Sequence, residues 1–186
     1  MPPAARPFGQ IIFLHGPSSS GKSTLARAIQ ARIDLPFWHF SVDHLRDSGA
    51  LPHERIARGD FPWSEQRARV FDGLHGMMTA AVNAGNNLIL EHILDTEGWA
   101  AELRHLFAPF DVVFVGLHCD LAELTRRETA RGDRPVGSAA ADFHQVHRGR
   151  LYDLELNGRD DPDRNADKVI AVWKSGERRS EFRGIP

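Results

Sequence analysis

The sequence predicts a single α/β domain built on a parallel β-sheet. Two apolar runs, residues 11–14 and 112–115, are continuous rather than alternating, as strands are when helices cover both faces of a sheet. Segments with apolar residues at helical spacing separate such runs, and strands that alternate with helices are typical of parallel sheets. We expect the domain to span residues 10–176, between a disordered tail at 1–9 and a C-terminal tail at 177–186.

Turn residues set the limits of the expected strands and helices. Pro36 and Pro109 prevent a helix from continuing, and Gly85 is typical of a helix end. Between residues 45 and 61 the apolar positions follow no clear period, which predicts a short helix at 44–47 and a long loop of the kind that often carries function. The expected strands are residues 10–15, 37–42, 87–90, 111–118 and 151–156, and the longer helices are about 22–33, 62–85, 97–107, 120–132, 139–148 and 163–174.

The amino-acid composition limits the kinds of molecule that we expect the chain to bind. The 186 residues suffice for one domain with a substantial core. The net charge of −2 offers no general attraction to nucleic acid or to an anionic membrane, so we expect neither partner. Cys119 has no second cysteine to pair with, which suits a reducing cytoplasm. No apolar run approaches the roughly twenty residues needed to cross a bilayer, and residues 1–7 do not resemble a signal peptide. We expect a cytoplasmic protein. The sequence leaves open whether it forms a homo-oligomer.

The segment after the first expected strand carries the strongest functional signal. It has the form G-x-x-x-x-G-K-[ST], the phosphate-binding loop of NTPases, and it lies between a strand and a helix as this motif requires. Its glycines let backbone N–H groups point at an anion at the positive end of the helix. We expect Lys22 to bridge the β- and γ-phosphates of ATP and the Ser23 hydroxyl to ligate Mg²⁺. The residues expected to bind the nucleotide are Gly16, Pro17, Ser18, Ser19, Ser20, Gly21, Lys22, Ser23 and Thr24.

Two carboxylates follow expected strands at the edge where open α/β sheets bind ligands. Asp43 ends the second strand and can take the proton of an attacking hydroxyl, or it can cap the short helix at 44–47. Its position in the sequence leaves both roles open. Glu91 ends the third strand and is expected in the Mg²⁺ shell or at a substrate hydroxyl. Trp63, in the unpatterned region, is a candidate for the wall of a substrate pocket. The histidines show no metal-ligand spacing and are expected to be structural or exposed.

Three arginines lie on one face of a helix that runs into a loop. Arg127, Arg131 and Arg134 are spaced at i, i+4 and i+7. Cations on a face above a triphosphate can stabilise charge on the phosphoryl group that is transferred. We therefore interpret residues 127–140 as a lid in which Arg127 contacts the nucleotide, although such a run on a helix is also typical of a solvated face.

Several segments together resemble the chloramphenicol phosphotransferase family. They are the phosphate-binding loop, S-V-D-H-L at residues 41–45, V-G-L-H-C-D at 115–120, R-E-T-A-R-G-D-R at 127–134, and Val146-His147 followed by Y-D-L-E at 152–155. The resemblance is collinear from residue 11 to about residue 172. The loop motif is generic, whereas the segment at 127–134 is specific.

The resemblance implies a nucleoside-monophosphate-kinase-like fold with a five-stranded parallel sheet in the order 2-3-1-4-5. It also implies ATP-dependent phosphorylation of a hydroxyl group on a small molecule. The family's catalytic base falls on Asp43, and its basic lid falls on Arg131 and Arg134.

The sequence leaves the identity of the phosphate acceptor open. The segment between Asp43 and the helix at 62–85 is shorter than in the chloramphenicol enzyme and differs in sequence. We expect a small-molecule O-kinase of the antibiotic-inactivating type in which Lys22, Asp43, Arg131 and Arg134 are catalytic. The alternatives are a metabolite kinase of the shikimate or nucleotide type on the same scaffold, or a nucleotide-dependent switch.

Overall fold

A parallel sheet of five strands forms the centre of the computed structural model, which describes residues 7–131 and 137–183. The strand order is β2-β3-β1-β4-β5, and all four pairings are parallel. The predicted strand order is therefore confirmed. The strands are β1 (Gln10–His15), β2 (Phe37–Phe40), β3 (Asn87–His92), β4 (Asp111–His118) and β5 (Leu154–Asn157).

Helices connect the strands and cover both faces of the sheet. Because each strand is covered on both sides, its side chains are apolar without alternation. The helices are α1 (Lys22–Gln30), α2 (Val42–Asp47), α3 (His53–Ala57), α4 (Trp63–Asn83), α5 (Trp99–Phe107), α6 (Leu121–Arg131), α7 (Ser138–Phe143) and α8 (Pro162–Ser175). None of the helices in the described ranges is long and apolar enough to span a membrane.

The two faces of the sheet carry two separate clusters of buried side chains. Along β1, Ile11 and Phe13 face the cluster formed with α4 and α5, whereas Ile12 and Leu14 face the cluster formed with α1 and α8. Successive side chains of a strand point to opposite faces, so each strand contributes to both clusters. The three-layer arrangement follows from this alternation.

The second strand is shorter than predicted because a serine starts a helix. The strand was expected to reach Val42, but β2 ends at Phe40. Ser41 is extended and its hydroxyl accepts a hydrogen bond from the His44 backbone N–H at 3.3 Å. Serine favours this N-cap position, so Val42 and Asp43 become the first residues of α2.

Three other predicted boundaries are wrong by several residues. Helix α1 ends at Gln30 rather than 33, and α7 ends at Phe143 rather than 148 because the chain continues in turns. Strand β5 starts at Leu154 rather than 151. Its neighbour Asp153 explains the late start, because the Asp153 carboxylate accepts a hydrogen bond from the Phe114 backbone N–H at 2.8 Å. At this position the Asp153 side chain, rather than a backbone carbonyl of β5, accepts the hydrogen bond from β4.

The chain that follows α8 packs on the core. Phe182 is buried and its ring centroid lies 5.1 Å from that of Phe13 and 4.7 Å from that of Phe114. The Arg178 guanidinium donates two hydrogen bonds to the Asp111 carboxylate, at 2.8 and 3.0 Å. Residues 177–183 therefore close one end of the core between β4 and α5.

Removal of the Phe182 ring tests this packing. We expect Phe182→Ala to lower the free energy of unfolding by about 3–5 kcal/mol, because it leaves a cavity among buried aromatic rings. Phe8→Ala is the matched control: Phe8 is 54% exposed, so its loss should cost less than about 1 kcal/mol. Urea unfolding of both variants gives the comparison. Equal small losses would mean that the C-terminal segment contributes nothing to the core.

Candidate active site

The loop between β1 and α1 has the backbone geometry of an anion-binding site. Gly21 has φ 103° and Ser19 has φ 64°, so successive peptide groups turn their N–H groups inward. The chain after β5 packs directly against this loop at Gly158, where a Cβ would lie 2.1 Å from the Ser20 carbonyl oxygen. The Ser19 and Ser20 hydroxyl oxygens are buried and have no hydrogen-bond partner within residues 7–131 and 137–183. Unpaired buried polar atoms in such a loop fit a polar ligand.

The Lys22 side chain crosses the loop. It is buried, and its ammonium group donates hydrogen bonds to the carbonyl oxygens of Gly16 and Pro17, each at 2.8 Å. A buried cation among inward-facing N–H groups attracts an anion. The geometry therefore fits the predicted contact between Lys22 and phosphate.

Arg127 supports the same loop from the outside. Its guanidinium donates to the carbonyl oxygens of Ser19 (3.4 Å), Ser20 (3.3 Å) and Gly158 (2.9 Å), and its Nε donates to the Glu123 carboxylate at 2.6 Å. One side chain thus joins α6, the phosphate-binding loop and the turn after β5. A direct contact between Arg127 and the nucleotide stays a prediction.

The Ser23 hydroxyl and the Glu91 carboxylate, which the sequence predicts to hold Mg²⁺, lie together at the start of α1. The Ser23 hydroxyl donates to Glu91 Oε2 at 2.9 Å, and His39 Nε2 contacts Glu91 Oε1. Burial raises the pKa of the Glu91 carboxyl, but the hydrogen bond from His39 and the charge of Lys22 outweigh burial and hold this pKa below its usual range. Glu91 is therefore ionised at neutral pH.

The Ser23 hydroxyl and the Glu91 carboxylate are oxygen groups of the kind that Mg²⁺ binds. Across the described ranges, no group of three or more His, Cys, Asp or Glu side chains is placed to hold a metal ion. Mg²⁺ takes one or two protein oxygens, waters and substrate phosphates. A hydroxyl and a carboxylate beside a phosphate-binding loop match that requirement.

A cavity of about 420 Å³ opens beside the loop. Its apolar wall includes Leu51 and Ile56, from the region between β2 and α4, and Trp63, the first residue of α4. The region between β2 and α4 is the part of the chain in which the sequence showed no period. The predicted site residues that line the cavity are Ser18, Ser19, Gly21, Lys22, Ser23, Asp43, Trp63 and Glu91.

Asp43 lies in the cavity wall and does not cap a helix. The cap of α2 is Ser41, and Asp43 is the second residue of that helix, so the predicted role as a cap is wrong. The Asp43 carboxylate forms an ion pair with Arg46, one turn along, at 3.1 Å. Asp43 thus lines the cavity with a side chain that is 24% exposed.

Sequence reasoning missed a second arginine of this wall. The Arg67 guanidinium donates to the Asp95 carboxylate at 2.7 and 2.9 Å and to the Thr96 hydroxyl at 2.6 Å. It also lies over the Trp99 ring, 4.4 Å from the centroid. The residues are distant in sequence and no local pattern connects them, so only the packing of α4 against the β3–α5 loop reveals the contact.

The predicted lid is described only in part. The backbone of Arg131 ends α6, but its side chain, and all of Arg134, lie outside the described residues. On the far side of that gap, the Asp142 carboxylate of α7 accepts a hydrogen bond from the Ser18 backbone N–H at 3.0 Å. The lid roles of both arginines stay predictions.

Two histidines and Tyr152 form a hydrogen-bonded chain that begins at His15, next to Gly16 of the loop. The Leu94 backbone N–H donates to His15 Nε2 at 3.2 Å, so the His15 proton lies on Nδ1 and donates to the Tyr152 hydroxyl at 2.8 Å. Tyr152 in turn donates to His147 Nδ1 at 2.7 Å. Both rings are neutral in this arrangement.

Burial is the main cause of the lowered pKa values of these histidines. The pKa of His15 lies well below 6.5, that of His92 is lowered to about 3, and that of His147 to about 4. Nearby cations add to the effect, among them Lys22 in all three cases. The folded chain therefore resists protonation at these positions.

This arrangement predicts loss of stability in acid. Because the folded pKa values are lowered, protonation favours the unfolded chain, and the stability present above about pH 6.5 is lost as the pH falls toward the folded values. Between pH 7 and pH 5 we expect protonation of His92, whose pKa is lowered to about 3, to remove on the order of 2 kcal/mol from the free energy of unfolding, and His15 to act in the same direction. Urea unfolding at both pH values measures it. A free energy of unfolding that stays constant over this range would contradict the neutral, buried state.

Fold and site together define a P-loop kinase. A parallel sheet in the order 2-3-1-4-5, a phosphate-binding loop after the central strand and a cavity beside that loop are all present. The chain belongs to the chloramphenicol phosphotransferase-like family, whose model matches residues 9–174. It is thus an ATP-dependent small-molecule kinase.

The chain is also similar to individual proteins. A protein of Mycobacterium tuberculosis named "Putative O-phosphotransferase" is 29% identical over an alignment of 177 positions, which covers 83% of this chain and 77% of that protein. The APS kinase of the same species, solved with AMPPNP and APS, has a TM-score of 0.70 at 22% identity over 90% of this chain and 99% of that one. Shikimate kinase from Acinetobacter baumannii, solved with shikimate, has a TM-score of 0.62 at 13% identity over 92% and 96% of the two chains. At these identities, the two solved structures show the fold alone.

Proposed function

We propose that this kinase transfers the γ-phosphate of ATP to a hydroxyl group of an uncharged, partly apolar small molecule bound in the 420 Å³ cavity. One observation carries the proposal: Asp43 lines the same cavity as Lys22 and Ser23 of the phosphate-binding loop. Phosphoryl transfer is catalysed mainly by positioning and charge. A carboxylate in the wall of the cavity that the phosphate-binding loop also lines is suited to orient an acceptor hydroxyl.

Each residue has a distinct role in this proposal. Lys22 holds the β- and γ-phosphates. Ser23 would hold Mg²⁺ directly and Glu91 would hold it through water, and the bound cation would neutralise phosphate charge. Asp43 orients the acceptor hydroxyl and takes its proton. Trp63 contacts the acceptor. Arg131 and Arg134 cover the transferred phosphoryl group, as the family resemblance implies.

Charge balance in the cavity wall supports an uncharged acceptor. Among the described lining residues, Arg46 is paired with Asp43 at 3.1 Å and Arg67 with Asp95 at 2.7 Å. An anionic acceptor needs a cation to offset its desolvation. Both of these arginines already have carboxylate partners, which disfavours a metabolite kinase of the shikimate type.

The size of the cavity also disfavours a nucleotide-dependent switch. A switch needs a nucleotide site but little acceptor pocket. The cavity extends well beyond the loop, to Leu51 and Trp63, and 420 Å³ is within the range of small-molecule sites.

An acceptor screen tests the proposed function. The purified chain is incubated with γ-labelled ATP, Mg²⁺ and a panel of hydroxylated compounds that includes chloramphenicol, other uncharged aromatic alcohols and anionic metabolites. We expect labelled product from a member of the uncharged set. Product from the anionic metabolites alone would favour the metabolite kinase, and slow hydrolysis without product would favour the switch.

The Asp43→Asn variant tests the role of the carboxylate. Because Ser41 caps α2, the amide should leave the fold intact, whereas loss of the proton acceptor should lower kcat by on the order of 10²–10⁴. A loose transition state, in which the acceptor proton leaves late, would place the loss at the lower end.

The control for this variant is Asp47→Asn, on the same helix. Asp47 pairs with the same arginine, Arg46, at 2.6 Å, but its side chain is 60% exposed. Turnover of both variants is measured with the acceptor found in the screen, together with their melting temperatures. Near-wild-type turnover of Asp43→Asn would remove Asp43 from the chemistry.

A further inference from the structure

His39 and Glu91 meet beneath the start of α1 because of strand alternation. On β2, Phe37 faces the cluster formed with α1 and α8, and His39, two residues later, faces the same side. On β3, Ile89 faces that cluster and Glu91 follows it by two residues. The parallel pairing places His39 beside Ile89, so His39 reaches diagonally to Glu91.

The two oxygens of the Glu91 carboxylate have different partners. His39 Nε2 contacts Oε1, and the Ser23 hydroxyl donates to Oε2 at 2.9 Å. The side chains of His39 and Glu91 are only 8% and 9% exposed. The carboxylate therefore has little freedom to turn away from Ser23 while His39 holds its other oxygen.

Hydrogen-bond chemistry fixes the direction of each bond. An ionised carboxylate only accepts, so His39 Nε2 carries a proton and donates it. The proton of the Ser23 hydroxyl is likewise directed at Glu91. The lone pairs of the Ser23 oxygen then point elsewhere, and these lone pairs are what a hard cation binds.

The backbone of His39 is also held in place. His44 Nδ1 donates to the His39 carbonyl oxygen at 3.1 Å, and the two rings meet edge to face with centroids 4.4 Å apart. His44 belongs to α2, the helix that carries Asp43. The acceptor side of the cavity is thus joined to the metal side through His39.

We propose that His39 is a positioning residue for the metal: it holds Glu91 so that Glu91 orients the Ser23 oxygen toward Mg²⁺. This inference rests on the proposed function, because it needs a nucleotide-bound Mg²⁺ at Ser23. Partners of this kind, one step from the metal, commonly contribute 10- to 100-fold in affinity. A purely structural role, in which the contact only secures the edge strand β2, would leave metal affinity unchanged.

Two amide variants separate these roles. His39→Gln places an amide nitrogen close to the position of Nε2 and keeps the donor, whereas His39→Asn is shorter and cannot reach Glu91. The probe is Mn²⁺, whose binding to the complex of the full chain with AMPPNP is followed by electron paramagnetic resonance. We expect about tenfold weaker Mn²⁺ binding for His39→Asn and a change of less than about threefold for His39→Gln. His105→Asn, at an exposed position of α5, is the control and should bind Mn²⁺ as the wild type does.

A double variant tests whether His39 acts through Glu91. In a Glu91→Gln background, the difference in Mn²⁺ affinity between His39→Asn and His39→Gln should disappear, because the carboxylate that accepts the hydrogen bond from residue 39 has been replaced by an amide. The affinity for AMPPNP without metal should be the same in all variants. Melting temperatures identify any variant that fails to fold, and the comparison is then made between His39→Gln and the wild type in both backgrounds.

Each outcome has a clear meaning. Equal Mn²⁺ affinity for the two amide variants would overturn the inference and leave the proposed function intact. If His39→Asn still binds Mn²⁺ more weakly than His39→Gln in the Glu91→Gln background, His39 acts by another route, and this result would also overturn the inference. If the wild type does not bind AMPPNP, the proposed function fails and this inference fails with it.

Discussion

The site depends on holding one loop of inward-facing N–H groups at the carboxyl edge of the sheet. Such a loop is unfavourable without support, because its polar groups converge on one point. Lys22 bridges it from within, through two carbonyl oxygens. Arg127 supports it from outside and Gly158 allows the turn after β5 to pack against it. The central strand β1 supplies the rigid base.

The rest of the site follows from where neighbouring strands end. β3 lies beside β1 and ends with Glu91 and His92, while β2 lies beside β3 and leads directly into α2 with Asp43. Ligands of open parallel sheets bind at this edge. The proposed metal ligands therefore lie close to the loop and the proposed acceptor base lies farther out, which is the order in which a nucleotide and then an acceptor would be arranged.

The sequence was sufficient where the signal is local. The loop motif between an apolar strand and a helix, and the continuous apolar runs of β1 and β4, predicted the fold class, and the family resemblance supplied the strand order that the structure confirms. Interactions that depend on register were not predictable. The contact of His39 with Glu91 needs the pairing of β2 with β3, and that of Arg67 with Asp95 needs the placement of α4. The sequence placed Asp43 at the end of a strand because Ser41 and Asp43 both favour the N-cap position of a helix. The structure shows that Ser41 is the N-cap of α2.

Binding of a triphosphate to the loop is the central claim, and titration of AMPPNP with Mg²⁺ in a calorimeter tests it most directly. Lys22→Ala removes the buried ammonium, whereas Arg27→Ala removes an exposed cation from the same helix. We expect Lys22→Ala to weaken AMPPNP binding at least about tenfold, since hydrogen bonds to charged groups contribute about 1.5–3 kcal/mol, and Arg27→Ala to match the wild type. Equal affinity in all three proteins, each with an intact fold, would contradict the placement of the active site.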